Sequence, residues 1–280
     1  MLEKCFQVVH GIGETTEKKL WNAGIKTWND VFHKPRPAII PRRTWHRLTK
    51  DINLYQKLLS TNNYTSLNQK IPGKFMWMAI PNFIGKIAYI DIETTGLSRD
   101  YHQITTIAVY DGKSVSTFVH GKNLDDFKTF ISNYPAIATF YGKGFDVPFI
   151  RSYLNMDMPQ IHFDVCFLLK KLGIKGGLKK IERQLGMSRG IMSELNGFHA
   201  VVLWKRYKTT GNEEYLDTLL AYNIEDVLNL EFLLNYAYNE IMRSQGITGD
   251  DLPYAKAKID NPFEAHHKIV SEVKNENPFA

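Results

Sequence analysis

The spacing of hydrophobic residues changes near residue 85. Before it, apolar positions recur every three or four residues in short stretches cut by glycine and proline, the rhythm of short helices. After it come compact apolar runs bounded by turn residues. "KIAYIDIE", "HQITTIAVYDG", "KSVSTFVHG", "AIATFYG" and "QIHFDV" read as five strands, with Asp111-Gly112 as a hairpin turn between the second and third. "LDDFKTFISNY" sets Leu124, Phe127, Phe130 and Ile131 on one helical face, and "DVPFIRSYLN" reads as a helix before the last strand. Further on, "CFLLKKLG", "GLKKIERQLG" and "FHAVVLWKRYKTT" are helical, followed by one long helix from about Glu213 to Ser244. The pattern predicts an α/β domain over residues 85–245, a mixed five-stranded sheet flanked by helices. Residues 246–280 form a polar C-terminal tail with scattered apolar positions, either packed on the core or free.

Residues 1–84 read as a small, mainly helical region. "HGIGETTEKKLWNAGI" opens with the turn Gly11-Ile12-Gly13, continues as a helix containing Leu20 and Trp21, and stops at Gly24. In "TWND", Thr27 and Asp30 have capping-box spacing ahead of another helix, which Pro35 ends. "KPRPAIIPRRTWHRLTKD" gathers Arg36, Arg42, Arg43, Arg47 and Lys50, and a helix-like piece follows near "INLYQKLLS".

Charge sharpens this division. The net +6 is unevenly spread: residues 1–84 carry 13 Lys/Arg against 5 Asp/Glu, and the remainder 22 against 24. A basic block joined to a mildly acidic one suits a polyanion such as nucleic acid; the alternative is a basic surface that only keeps the protein soluble. Cys5 and Cys166 match no metal spacing and read as reduced and structural. The first residues carry no signal-peptide pattern, and no run of about 18 apolar residues exists, so a cytoplasmic protein is expected. Most of the 35 aromatic residues fall at core-periodic positions and read as core, not as stacking surfaces. Lys179 and Lys180 read as a solvated helix face, with substrate contact as the alternative.

Candidate chemistry lies in the acids. Asp91 and Glu93 are two apart at the end of the first strand, so they share a face. Two carboxylates this close repel unless a cation stands between them, and Mg²⁺ and Mn²⁺ prefer such oxygens; the alternative is a surface acid pair. Asp146, in "FYGKGFDVPFI", sits where an N-cap would, with Pro148 in the first turn, and simple helix capping is its alternative. In "LLAYNIEDVLNL", Leu219, Tyr222, Asp226 and Leu230 are spaced by three or four, so a core-facing stripe includes an aspartate. Together the four acids make a donor set suited to two-metal phosphodiester hydrolysis, with the Tyr222 phenol placed to orient water.

These residues resemble the DEDD exonucleases of the ribonuclease-H-like superfamily, and the strand and helix order is that of a ribonuclease-H-like sheet. "DIETTG" is similar to their first motif, "FDVPFI" to the second and "YNIED" to the third; the same triplet resembles the proofreading domain of family B DNA polymerases. "GLKKIERQLGMSR", residues 177–189, extends the likeness to the stand-alone YprB-like group, over roughly residues 87–234. The histidine subclass would need its histidine at Ala221; Tyr222 fits the tyrosine subclass. The resemblance implies a 3′–5′ exonuclease acting on DNA or RNA with two Mg²⁺ or Mn²⁺ ions. Asp91, Glu93, Asp146 and Asp226 would be the ligands, Asp91 would touch both ions, and Tyr222 would position the water. The turn Tyr141-Gly142-Lys143-Gly144 departs from the family, which usually has asparagine a few residues before the second-motif aspartate. The N-terminal stretch resembles a helix-hairpin-helix element, implying phosphate contact at Gly11, Ile12 and Gly13 with Arg42 and Arg43 nearby, or a purely structural role. From a different class comes the alternative of a nucleic-acid-binding module with a vestigial nuclease site.

Overall fold

The computed structural model describes residues 1–247, 249, 251–254 and 259–276. It divides into two units, residues 1–84 with 159–161, and residues 85–158 with 162 onward.

In the first unit, helix α1 (Glu14–Asn22), a short α2 (Asp30–His33), α3 (Arg42–Ser60) and α4 (Tyr64–Lys70) precede a 3-10 segment over Gly73–Phe83. Gly24 ends α1 as expected: at φ +83° it follows the cap residue Ala23, and Ile25 and Gly24 donate to the carbonyls of Leu20 and Trp21, closing the last turn. Thr27 and Asp30 exchange the reciprocal bonds of their spacing, Asp30 N to Thr27 Oγ1 at 3.3 Å and Thr27 N to Asp30 Oδ2 at 2.9 Å. Trp28 is fully buried and donates from Nε1 to the Cys5 carbonyl, while the buried Glu17 accepts the backbone N–H groups of Phe6 and Gln7. The helix expected only near residue 52 begins ten residues earlier. Pro41 sits just before its first turn, and Leu48, Ile52, Tyr55 and Leu58 form its buried stripe.

The second unit carries strands β1 (Ile87–Thr94), β2 (Ile104–Tyr110), β3 (Val115–Val119), β4 (Ala136–Thr139) and β5 (Ile161–Asp164) in one sheet of order β3-β2-β1-β4-β5. The β1–β2 and β2–β3 pairs are antiparallel and β1–β4 is parallel, the mixed sheet that the strand pattern predicts. Helices α5 (Phe127–Ile131) and α6 (Asp146–Tyr153) join β3 to β4 and β4 to β5; α7 (Val165–Lys171), α8 (Leu178–Gln184) and α9 (Gly197–Thr210) follow. One core layer, with Ile90, Ile92, Phe118, Phe127 and Phe149, lies between sheet and helices; another gathers Leu203, Trp204, Leu216, Leu219 and Tyr222.

Two expectations change here. The long C-terminal helix is two helices, α10 (Glu213–Leu228) and α11 (Leu230–Ser244), separated at Asn229, whose side chain donates to Glu182 at 2.9 Å. The break is slight, Asn229 staying at φ −86° and ψ −10°, and it leaves no mark in the apolar period. In the expected tail, α12 (His267–Val273) buries Ile269, Val270 and Val273 in the second core layer. Both cysteines are buried and free. No described helix is long and apolar enough to cross a membrane.

Candidate active site

The sheet itself creates the site. β1 pairs with β2 as far as Thr94, but its parallel ladder with β4 ends at Tyr89 opposite Ala138. Asp91 and Glu93 lie beyond that split, on the face opposite Ile90 and Ile92, which enter the core. Asp146 starts α6, and its carboxylate accepts its own N–H and that of Ile92, a donor beyond the end of the β4 ladder. The alternative of simple helix capping does not hold: Phe145 is the N-cap residue, no side chain caps the helix, and the Asp146 side chain is buried.

From the other side α10 packs on β1 and β2. Its stripe Leu219, Tyr222 and Asp226 is buried, as is Leu230 just past its end. Asp91, Glu93 and Asp226 each bring a carboxylate oxygen within 4.8 Å of the others. Asn223, fully buried between Tyr222 and Asp226, donates to Asp91 Oδ2 at 2.8 Å and accepts from Thr106 Oγ1 at 2.9 Å, tying the acid to β2. Arg189 is buried and three-pronged: Nη1 bonds to Asp226 Oδ1, while Nε and Nη2 grip both oxygens of Glu182, the latter at 2.7 Å. Lys179 is half-buried, not solvated; its ammonium donates to the carbonyls of Met192 and Leu195 and lies 4.6 Å from the centroid of the Tyr222 ring. Asp164 also has work to do. It caps α7 through Phe167 N and accepts from Tyr141 N and Lys143 N at 3.0 Å each, fixing the turn that leads into Asp146.

Burial, followed by the charges of Asp226, Asp146 and Glu93, pushes the Asp91 carboxyl well above its ordinary range, against the Asn223 hydrogen bond. Burial and the charges of Asp226 and Asp146 do the same to Glu93, with Lys179 opposing. Asp146 is pushed up to about 7 by burial; its two backbone donors oppose this, and Asp164 and Asp226 add to it. Burial lowers Lys179 to about 8. Burial, then the acids, raises the Tyr222 phenol. A cluster of hard oxygen donors that resists ionisation on its own suits a divalent cation, and Asp91, Glu93 and Asp226, with Asp146 beside them, could hold one.

Three of the predicted acids, Asp91, Glu93 and Asp226, thus fall together, with Tyr222 and Asp146 close enough to feel their charges. Gly11, Ile12, Gly13, Arg42 and Arg43 belong to the first unit. Ile12 is used internally, its side chain buried and its N–H donated to Val9, whereas Gly11, Gly13, Arg42 and Arg43 are exposed. Arg47 Nη1 donates to the His10 carbonyl at 3.3 Å, beside a groove of about 520 Å³ that Arg43, His46 and Lys50 also line. Sequence reasoning missed Asn223, Arg189 and Lys179. For Asn223 the helical stripe was the available signal; for the other two, the shared motif of residues 177–189 held it.

Two outcomes follow from these interactions. Asp91, Glu93 and Asp146 have folded-state values above the unfolded ones, so the folded chain retains protons that the unfolded chain has released. Their contribution to stability is complete below about pH 4 and is lost as pH rises through the folded values. In chelator, the melting temperature is therefore expected to fall between about pH 5 and pH 8, and to fall less steeply in Asp146→Asn. Arg189→Met leaves Glu182 buried without its counter-charge and should cost about 3–5 kcal/mol in urea unfolding; Glu182→Met in the same chain should recover most of that loss.

A comparison with curated proteins finds no match. Among solved structures, the chain is similar to Brucella melitensis NrnC with bound Mg²⁺ (19% identity, 58% of this chain and 76% of that one, TM-score 0.41) and to the same protein bound to pGG (18%, 57% and 75%, 0.41). It is also similar to the family B DNA polymerase of the hyperthermophilic archaeon Pyrobaculum calidifontis (15%, TM-score 0.42), covering 56% of this chain and 24% of the polymerase. The sequence model of the RNase_H superfamily matches residues 88–238. That match spans more than half of the sequence and contains every acid of the candidate site: the chain belongs to the RNase_H superfamily.

Proposed function

We propose that the protein is a metal-dependent nuclease of the DEDD tyrosine type, removing nucleotides from the 3′ end of DNA or RNA. The observation that carries the reading is the convergence of Asp91, Glu93 and Asp226 oxygens within 4.8 Å, from a strand and a helix far apart in sequence. Asp91, Glu93, Asp146 and Asp226 are the proposed ligands of two Mg²⁺ or Mn²⁺ ions. When bound, such ions lower the pKa of an attacking water and stabilise the leaving oxygen. Tyr222 keeps its proton, because burial and the neighbouring acids raise its phenol, so it orients water as a hydrogen-bonding group and not as a base. The polarity and the subtype rest on the motif resemblance. In the first unit, the exposed Gly11, Gly13, Arg42 and Arg43 are proposed to contact nucleic-acid phosphates without reading bases.

Oligonucleotides labelled at either end, incubated with Mg²⁺ or Mn²⁺, test the reading. Stepwise shortening from the 3′ end is expected, with Asp91→Ala and Asp226→Ala at background and Tyr222→Phe slowed by about 10²-fold. Either metal should also raise the melting temperature of the wild type but not of Asp91→Ala. Cleavage that persists unchanged in Asp91→Ala refutes the proposal. Salt-sensitive binding with no turnover in any metal leaves the vestigial binding module in its place.

A further inference from the structure

Three non-glycine residues among those described have positive φ: Asn62, Asn155 and Tyr141. Asparagine tolerates that region; a tyrosine at φ +65° is strained there. Tyr141 lies in the turn between β4 and α6, five residues before Asp146. The turn is held from several sides. Asp164 accepts the N–H groups of Tyr141 and Lys143, Gly142 N donates to Thr139 Oγ1 at 3.1 Å, and Gly144 N donates to the Tyr141 carbonyl at 3.0 Å. A Cβ at residue 144 would come within 2.8 Å of the Tyr141 ring, so glycine there leaves room for the ring in this position.

Burial does not repay this strain. Tyr141 is 49% exposed, and its ring meets that of Phe167, itself 42% exposed, with centroids 6.0 Å apart. The Lys170 ammonium stands 5.4 Å from the Tyr141 centroid and 5.1 Å from that of Phe167. Two partly exposed aromatic rings with a cation over them suit a ligand that joins a flat π-system to negative charge, and single-stranded nucleic acid offers both in each nucleotide. We propose that Tyr141, Phe167 and Lys170 form a nucleobase-stacking subsite for single-stranded nucleic acid, with Lys170 facing the adjoining phosphate. The proposal rests on the nuclease reading for its choice of ligand. It adds a stacking use to a chain in which most aromatic residues are expected in the core, and it gives the family-atypical turn a function.

Tyr141→Asn separates strain from function, because asparagine adopts the same backbone without the penalty. Fluorescence anisotropy of the full chain with a labelled single-stranded oligonucleotide, in chelator, reads binding without turnover. Tyr141→Asn is expected to melt at or above the wild-type temperature while binding roughly five- to 150-fold more weakly. Tyr141→Phe should bind like wild type. A base-free sugar-phosphate strand should bind Tyr141→Asn and wild type alike. Unchanged affinity for the ordinary strand in Tyr141→Asn overturns the subsite and leaves a protein-docking patch as its use. Equal loss for the base-free strand overturns stacking in favour of charge alone. Binding is read without metal and cleavage with it, so base-dependent binding by a chain that cleaves in neither Mg²⁺ nor Mn²⁺ would sink the nuclease reading and uphold the subsite; cleavage with unchanged binding in Tyr141→Asn would do the reverse.

Discussion

Four carboxylates at the split between β1 and β4 repel one another, and much of the second unit is arranged around that repulsion. A sheet fully paired along both edges of β1 would commit the Ile92 N–H to β4. Ending the ladder at Tyr89 frees it for Asp146, which can then approach Asp91 and Glu93 from a different element. Raised carboxyl values are the cost of this convergence. Desolvating one acid is expensive, and the charge of each neighbour adds to the expense, so the cluster persists only because surrounding groups over-determine it.

Those groups divide the work by chemistry. Asn223 is neutral and binds Asp91 to Thr106 on β2, so it restrains position without cancelling charge. Arg189 brings a buried positive charge, but two of its three bonds go to Glu182, which neutralises it locally. The remaining bond restrains one oxygen of Asp226 while the pair as a whole stays close to neutral. Had a lone guanidinium stood there, it would have competed for the acids as a cation. Lys179, turned toward two backbone carbonyls and the Tyr222 ring, is held back from direct pairing with the acids in a similar way.

Most of the sheet, the shared face of Asp91 and Glu93 and that of Tyr222 and Asp226 were legible because they are written in short periods. Alternation puts Asp91 and Glu93 on one face, and three-or-four spacing puts Tyr222 and Asp226 on another. The misreadings occur where a local signal competes with a distant partner. Asp146 has the local signature of a cap, but its donor at Ile92 lies on another element. Lys179 sits in a charged run typical of a solvated face, and only the fold brings the Met192 and Leu195 carbonyls to it. Tyr141 is one aromatic among many until its φ is known. The start of α3 was hidden because its first turn is basic and carries no apolar period.

The break at Asn229 belongs to the same network and is not an independent defect in a long helix. Asp226 bonds to Arg189, Arg189 to Glu182, and Glu182 accepts from Asn229, which returns the chain of contacts to the residue three positions after Asp226. Such a closed loop restrains Asp226 twice: through its own carboxylate, and through the end of the helix that carries it. At 229 the backbone stays in the helical region, at φ −86° and ψ −10°, and its carbonyl accepts from Leu233 N, while the side chain reaches Glu182. Asn229 and Asp226 thus belong to one hydrogen-bonded loop, so a substitution at Asn229 would loosen Glu182 and, through Arg189, Asp226, although the two side chains share no bond.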